Sequence, residues 1–341
     1  MLNRNELKKL LERYGIGSVN DYTMIDSSHG ESDLRHNYII DKKYVLRVNS
    51  AKVMGEKRIK ELNRLIGRYN AFGYKAPYFL PYDGDRYVLE YQNCFCYLSE
   101  YLDLEIADSV KEHYREELIK DRIVMVSGFA QAFKGVDLSE TLSMYSLFDL
   151  CPYDQLSGLG IDEKQENFNT LYSDLVEAEE PGFAEELKNA YEKYRTELKA
   201  VYKRLPRCVF QGDENFSNLC VDGDNRVAGL FDFNMSGTEV IANYLANIAL
   251  QGNYFYEEEF FGRFSAQDIF KMLVQAFKKN TELVRKYYTF DRTEYDAYLL
   301  YAKIAMISGY WNQCAFSEYL KTEQHKDKVV DMLRLIISCS L

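Results

Sequence analysis

Asp213, Asn218 and Asp232 have the types and spacing to hold a metal ion on phosphates and to point a hydroxyl at one of them. They stand in Phe210-Gln211-Gly212-Asp213-Glu214-Asn215-Phe216-Ser217-Asn218 and, fourteen residues after Asn218, in Asp232-Phe233-Asn234. Phosphoryl transfer asks little covalent chemistry of a protein. It requires Mg²⁺ on the phosphates and an acceptor hydroxyl aimed at the γ-phosphorus. Mg²⁺ takes oxygen ligands and keeps several of its waters, which suits one amide oxygen and one carboxylate better than a full protein cage. An Asp-x4-Asn spacing by itself also arises from turns and helix caps. Here it is joined by a preceding Gly212 and a second, apolar-flanked Asp232 at a fixed distance.

The residues between the two halves must bring them together. Leu219-Cys220-Val221 and Val227-Ala228-Gly229-Leu230-Phe231 are short apolar runs separated by Asp222-Gly223-Asp224-Asn225. Turn residues between such runs predict a β-hairpin. That hairpin returns the chain so that Asp232 emerges near Asn218, and both can reach one ion.

The stretch from Cys208 to Gly237 resembles the aminoglycoside phosphotransferase and choline kinase family, the small-molecule branch of the protein-kinase-like fold. The family pattern is His-Gly-Asp-x4-Asn followed by an Asp with an aromatic neighbour. Gly212, Asp213, Asn218 and Asp232 match it, and Gln211 stands where the His is expected. The resemblance implies a catalytic base or hydroxyl-orienting role for Asp213 and Mg²⁺ binding by Asn218 and Asp232. It further implies an α+β, bilobal fold: a small antiparallel-sheet N-lobe with one main helix, and a larger, mainly helical C-lobe. Residues 1–98 would form the nucleotide-binding lobe and 99–341 the helical lobe with catalytic loop, metal site and acceptor site. A downstream stretch, Ile241-Ala242-Asn243-Tyr244-Leu245-Ala246, lacks the Asp that members of the family usually carry before a Leu-Ala pair.

The N-terminal third carries its own signals. Asp21 to Ser27, His36 to Ile40 and Tyr44 to Val48 are β-branched and aromatic runs divided by turn residues, which predicts a small antiparallel sheet. The turn Ser27-Ser28-His29-Gly30-Glu31-Ser32 has one Gly, and the resemblance implies that it covers the nucleotide phosphates, with Ser28 among the contacts. Arg47, between apolar residues of the third strand, would neutralise α- and β-phosphate oxygens. A helix over about Lys52 to Tyr69 follows from the stripe Ile59, Leu62, Leu65 and Ile66. Within it Glu61 is the expected ion-pair partner of Arg47, with Glu56 second. Tyr78 to Pro81 and Tyr87 to Tyr91, joined by Asp83-Gly84-Asp85, predict another hairpin. Next comes Cys96 to Leu102, where the resemblance places the backbone of Glu100 and Leu102 against the adenine edge.

From about Ala107 the period changes to three and four residues. Amphipathic helices are predicted over 110–134, 165–178, 182–204, 240–253, 266–286 and 293–316. With only five prolines the chain tolerates that helix content.

A net charge of −11 argues against nucleic acid or an anionic membrane as main partner. A neutral or cationic small-molecule acceptor fits better. Glu257 opens an acidic run behind Tyr254-Phe255-Tyr256, and the single Trp311 offers a ring for a sugar or a quaternary amine. Such a run also serves as a solvated helix face, and a lone Trp as core. No stretch of eighteen apolar residues occurs, and the N-terminus resembles a surface helix, so a cytoplasmic protein is expected. Seven cysteines, mostly in apolar contexts, suggest buried thiols and no disulfide framework.

The leading expectation is an ATP- or GTP- and Mg²⁺-dependent kinase of a small-molecule hydroxyl: a sugar, amino sugar, aminoglycoside or amino alcohol such as choline. The competing reading is a non-catalytic binding protein that keeps the kinase fold, supported by Gln211, the Gly-poor turn and Arg47 in place of Lys. A kinase of protein substrates ranks lower, because no Ala-Pro-Glu follows Asp232.

Overall fold

The computed structural model describes residues 2–28, 34–50, 54–149, 160–250 and 257–341. In chain order the elements begin with α1 (Arg4–Arg13), β1 (Tyr22–Asp26), β2 (Arg35–Ile40), β3 (Tyr44–Asn49), α2 (Glu56–Ala71), β4 (Phe79–Leu80), β5 (Leu89–Tyr91), β6 (Cys94–Glu100) and β7 (Glu105–Ile106). Then follow α3 (Arg115–Ala132), α4 (Glu163–Glu177), α5 (Pro181–Val201), β8 (Arg207–Phe210), β9 (Leu219–Val221), β10 (Val227–Leu230) and β11 (Gly237–Val240). The chain closes with α6 (Ile241–Leu250), α7 (Glu258–Arg263), α8 (Ala266–Tyr287), α9 (Arg292–Ser308), α10 (Tyr310–Leu320) and α11 (Lys326–Ser338). It packs as two compact units, one of residues 1–115 with 213–234, the other of 116–212 with 235–341. The class is α+β, with sheet concentrated in the first unit and helix in the second.

In the first unit, β1-β2-β3-β6-β4 form an antiparallel sheet, with β5 also paired to β6. Its alternation explains both faces. Tyr38, Ile40, Leu46, Val48, Cys96 and Leu98 point to one side and pack on Leu7, Leu10 and Leu11 of α1. That helix is fixed by a capping box in which Asn3 accepts the Glu6 N–H and Glu6 accepts the Asn3 N–H. Burying three leucines fully stabilises by roughly 1.5–3 kcal/mol each. Several intervening positions are polar: Asn37, Arg47, Asn49, Tyr97 and Ser99. Arg47 lies opposite Tyr97 and Asn37, and Asn49 opposite Phe95 and Arg35, so these share the other face. Residue parity therefore gives the two sides of one short sheet different neighbours.

The expected hairpin across Asp83-Gly84-Asp85 is not a strand pair. β4 and β5 each pair with β6, and only an isolated Asp83–Arg86 bridge joins the turn. The reason is the Glu56 carboxylate, which accepts the Tyr87 and Val88 N–H groups at 2.8–3.0 Å and so takes donors a hairpin would use. The predicted hairpin of β9 and β10 does form, with a bulge between Val227 and Gly229. β7 extends it to three strands. Lys75 bonds to both sides of Gly229, its N–H to Ala228 and its carbonyl from Leu230, each 2.9 Å. A Cβ on Gly229 would come within 2.7 Å of the Lys75 carbonyl oxygen, so the close approach requires glycine.

The second unit is built from α3–α6, α7–α11 and the β8–β11 ladder, whose register sets Phe210 against Gly237 and Arg207 against Val240. The single helix expected over 293–316 is two. Gly309 is extended (φ −58°, ψ 139°) between α9 and α10, and a Cβ there would lie 2.5 Å from the Ala305 carbonyl oxygen. Helices α7 and α11 were not anticipated from spacing. Six described cysteines are free thiols, with Cys96, Cys208 and Cys220 buried and Cys314 exposed.

Candidate phosphoryl-transfer site

Asp213, Asn218 and Asp232 all belong to the first unit. Within the loop, Asn218 Nδ2 donates to the Asp213 carboxylate at 2.8 Å and to its carbonyl at 3.0 Å. Asn215 Nδ2 donates to the other Asp213 oxygen at 2.8 Å, while its own Oδ1 accepts the Ser217 and Asn218 N–H groups. The loop is further tied by the Asp108 N–H to the Phe216 carbonyl, 3.0 Å. These bonds fix the carboxylate and direct the Asn218 amide oxygen away from it, since the amide nitrogen is already committed.

The hairpin delivers the second half. The Phe231 N–H donates to the Asn218 carbonyl at 3.0 Å, which sets Asp232 beside Asn218. Asp232 has φ +57°, a left-handed backbone unusual for a residue with a side chain. Observed strain of this kind concentrates at functional positions. Burial pushes Asp213 above the usual carboxylate range, and the negative Asp232 adds to the rise, opposed by the bonds from Asn215 and Asn218.

That donor set fits a hard divalent cation. Two carboxylates and an amide oxygen stand on neighbouring loops joined by the Phe231–Asn218 bond, and among the described residues no cluster of three or more His, Cys, Asp or Glu forms a rival metal cage. Asn218 and Asp232 are the residues that would hold Mg²⁺.

Gly212 has φ +92°, and a Cβ there would sit 2.3 Å from the Met235 carbonyl oxygen. Gln211, in the His position of the family pattern, is buried, and its carbonyl accepts the Ser236 hydroxyl at 2.9 Å.

The remaining predicted residues fall as follows. Arg47 Nη1 donates to Ser99 Oγ at 3.0 Å, whereas Glu61 meets Arg58 at 3.7 Å, and Glu56 is spent on Tyr87 and Val88. The structure therefore gives Arg47 and Glu61 different partners. Ser28 Oγ donates to Asp26 at 2.5 Å and accepts the Arg35 N–H at 2.9 Å, stapling the base of a turn whose residues 29–33 lie outside those described. Glu100 uses its N–H on the Tyr78 carbonyl, and its side chain accepts the Tyr78 N–H at 3.0 Å. The Leu102 carbonyl accepts the Leu104 N–H at 3.0 Å. Glu257 is exposed at the start of α7, and its expected aromatic neighbours 254–256 lie outside the described residues. Trp311 is 79% exposed and so is not core.

Sequence reasoning passed over the rest of the polar sheet face. Asn49 Nδ2 donates to the Tyr97 hydroxyl at 2.9 Å, both side chains being buried, and Tyr97 feels Arg47, Asp232 and Arg35 electrostatically. Strand parity with Arg47 was the signal that could have found them. In the second unit Glu239 is fully buried, accepting from Ser146 Oγ at 2.9 Å and the Val240 N–H at 2.7 Å, and burial pushes its carboxyl up to about 7. Its further partner is Asn243, from the very stretch that lacks the family's Asp.

No family model and no curated protein matches the sequence. Among solved structures the chain is similar to aminoglycoside phosphotransferases. A streptomycin–ATP ternary complex of APH(2")-IIa aligns at 14% identity over 98% of this chain and 99% of that one, with a TM-score of 0.49. A thermostable mutant of APH(4)-Ia with ADP and hygromycin B aligns at 15% identity over 98% and 99%, TM-score 0.47. ADP-bound APH(2'')-Ib aligns at 16% identity over 98% of each chain, TM-score 0.42.

Proposed function

We propose that this protein is an ATP- and Mg²⁺-dependent phosphotransferase that phosphorylates a hydroxyl of a small molecule. The observation that carries the reading is the convergence of Asp213, Asn218 and Asp232, with Asn218 bonded to Asp213 and Asp232 set beside it through Phe231. Mg²⁺ on Asn218 and Asp232 would neutralise phosphate oxygens. Asp213 accepts the hydrogen bond of the acceptor hydroxyl and orients its lone pair toward the γ-phosphorus. Its raised affinity for a proton suits it to take that proton as the new P–O bond forms and the bond from the γ-phosphorus to the β,γ-bridging oxygen breaks, with the nucleoside diphosphate leaving. Arg47 supplies the fixed cation for the α- and β-phosphates. Ser28 would add a hydroxyl to the phosphate contacts, and Ser99, which accepts from Arg47 Nη1, holds that guanidinium in place. The adenine edge offers an amino donor and a ring-nitrogen acceptor, which the Glu100 carbonyl and the Leu102 N–H complement.

For the acceptor, the aminoglycoside complexes named above and the −11 charge favour a neutral or cationic sugar, amino sugar, aminoglycoside or amino alcohol. Exposed Trp311 offers a ring face and Glu257 a carboxylate for an ammonium group.

The test is Mg²⁺-dependent nucleotide binding and acceptor-stimulated turnover across a panel of such hydroxyl compounds. Asp213→Ala is expected to abolish turnover with nucleotide affinity nearly unchanged. Mg²⁺-dependent binding with no turnover on any acceptor would favour a kinase-fold binding protein, and absence of Mg²⁺-dependent binding would overturn the metal site.

A further inference from the structure

Tyr69, on the buried face of α2, is fully buried and touches both halves of the candidate site segment. Its hydroxyl donates to Glu214 Oε1 at 3.4 Å, and Glu214 is the buried residue next to Asp213. Its ring meets Phe233 edge-on, centroids 5.9 Å apart at 65°, and Phe233 is the buried residue next to Asp232. We propose that Tyr69 is a positioning residue with two separable connections: the hydroxyl sets the loop of the hydroxyl-orienting Asp213, and the ring sets the metal-binding Asp232. The inference rests on the phosphotransferase reading of those two aspartates.

The physical basis is that the residue following each aspartate is buried against the same side chain. One of these residues is acidic and one aromatic, and a single phenol is the side chain type that satisfies both. A Phe would keep the edge-to-face contact and lose the hydrogen bond; a Leu would lose both. A tyrosine serving only as core filler would show no such split, because both variants would then act through stability alone.

The experiment compares Tyr69→Phe, Tyr69→Leu, Glu214→Ala and Glu214→Gln with the wild type by kcat, acceptor KM, Mg²⁺-dependent nucleotide affinity by calorimetry, and Tm. Tyr69→Phe is expected to lower kcat about three- to tenfold, the worth of one hydrogen bond, with Mg²⁺·nucleotide affinity within about twofold. Tyr69→Leu should in addition weaken Mg²⁺-dependent nucleotide binding severalfold. Glu214→Gln, which keeps an acceptor for the phenol, should recover part of the loss seen in Glu214→Ala. Tyr69→Phe combined with Glu214→Ala should lose no more than Glu214→Ala alone. Additive losses in that pair, or equal effects of Phe and Leu on metal-dependent binding, would overturn the assignment. Absence of Mg²⁺-dependent nucleotide binding in the wild type itself would overturn the phosphotransferase reading and this assignment with it, and calorimetry on the wild type separates that outcome from a failure of the Tyr69 variants alone.

Discussion

At the scale of single residues, the site combines groups that each cost stability. Asp232 holds a left-handed backbone, Gly212 occupies a space no side chain fits, and Asp213 keeps a half-buried carboxylate beside a second one. Gly212→Ala is expected to be severe. The backbone conformation alone costs on the order of 1–3 kcal/mol, and the 2.3 Å approach to the Met235 carbonyl forces a further shift. Urea unfolding should show a lower midpoint, and turnover should fall more steeply than nucleotide binding. An unaltered midpoint would mean that the loop has slack. At this scale the sequence was legible: Asp213, Asn218 and Asp232 could be picked from spacing, because a loop and a hairpin of fixed length are local structures. The partners of Arg47 and Glu61 were not legible. Long charged side chains reach several neighbours, and only the assembled sheet and helix decide among Ser99, Arg58 and each other.

Among the elements, the β8–β11 ladder is the pair that flanks the site segment in sequence, with Phe210 just before it and Gly237 just after. Glu239 on β11 accepts from Ser146, in the connection between α3 and α4, and from the Val240 N–H. With its carboxyl raised from 4.5 to about 7, the folded chain binds this proton more tightly than the unfolded chain does. Stability from this group is therefore complete below about pH 4.5 and is lost as pH rises through 7, with a limiting slope of about 1.4 kcal/mol per pH unit. Glu239→Gln, which cannot ionise, should flatten the pH profile of the unfolding free energy, measured by urea, between pH 5 and 7 by roughly that slope. A variant whose profile parallels the wild type would place the titration elsewhere. Periodicity could not announce this group, since a Glu in a short strand reads as an exposed position until the layers packed on it are known. The split of the expected 293–316 helix is similar: the apolar spacing runs on through Gly309, and the break is decided by how α9 and α10 pack.

Over the whole molecule, ligand binding should register as stability. Under the proposed function, nucleotide with Mg²⁺ at a hundred times its Kd would add about 2.7 kcal/mol, a rise of several degrees in Tm. Asp232→Asn should cancel most of the Mg²⁺-dependent part and leave the unliganded Tm near that of the wild type. A shift independent of Mg²⁺ would point to nucleotide held by Arg47 and the sheet alone. What the sequence by itself determined is what short spacing sets: the alternating strands of the first sheet, most of the amphipathic helices, and the hairpin that brings Asp232 back to Asn218. Only the tertiary structure decided that residues 213–234 pack with the N-terminal unit, that Tyr69 touches both site loops, that Glu56 and Glu61 serve other partners than Arg47, and that Trp311 faces outward. The physical reason is range. Periodicity and turn chemistry act over a few residues, whereas burial and the choice of a charged partner depend on chain segments far apart in sequence.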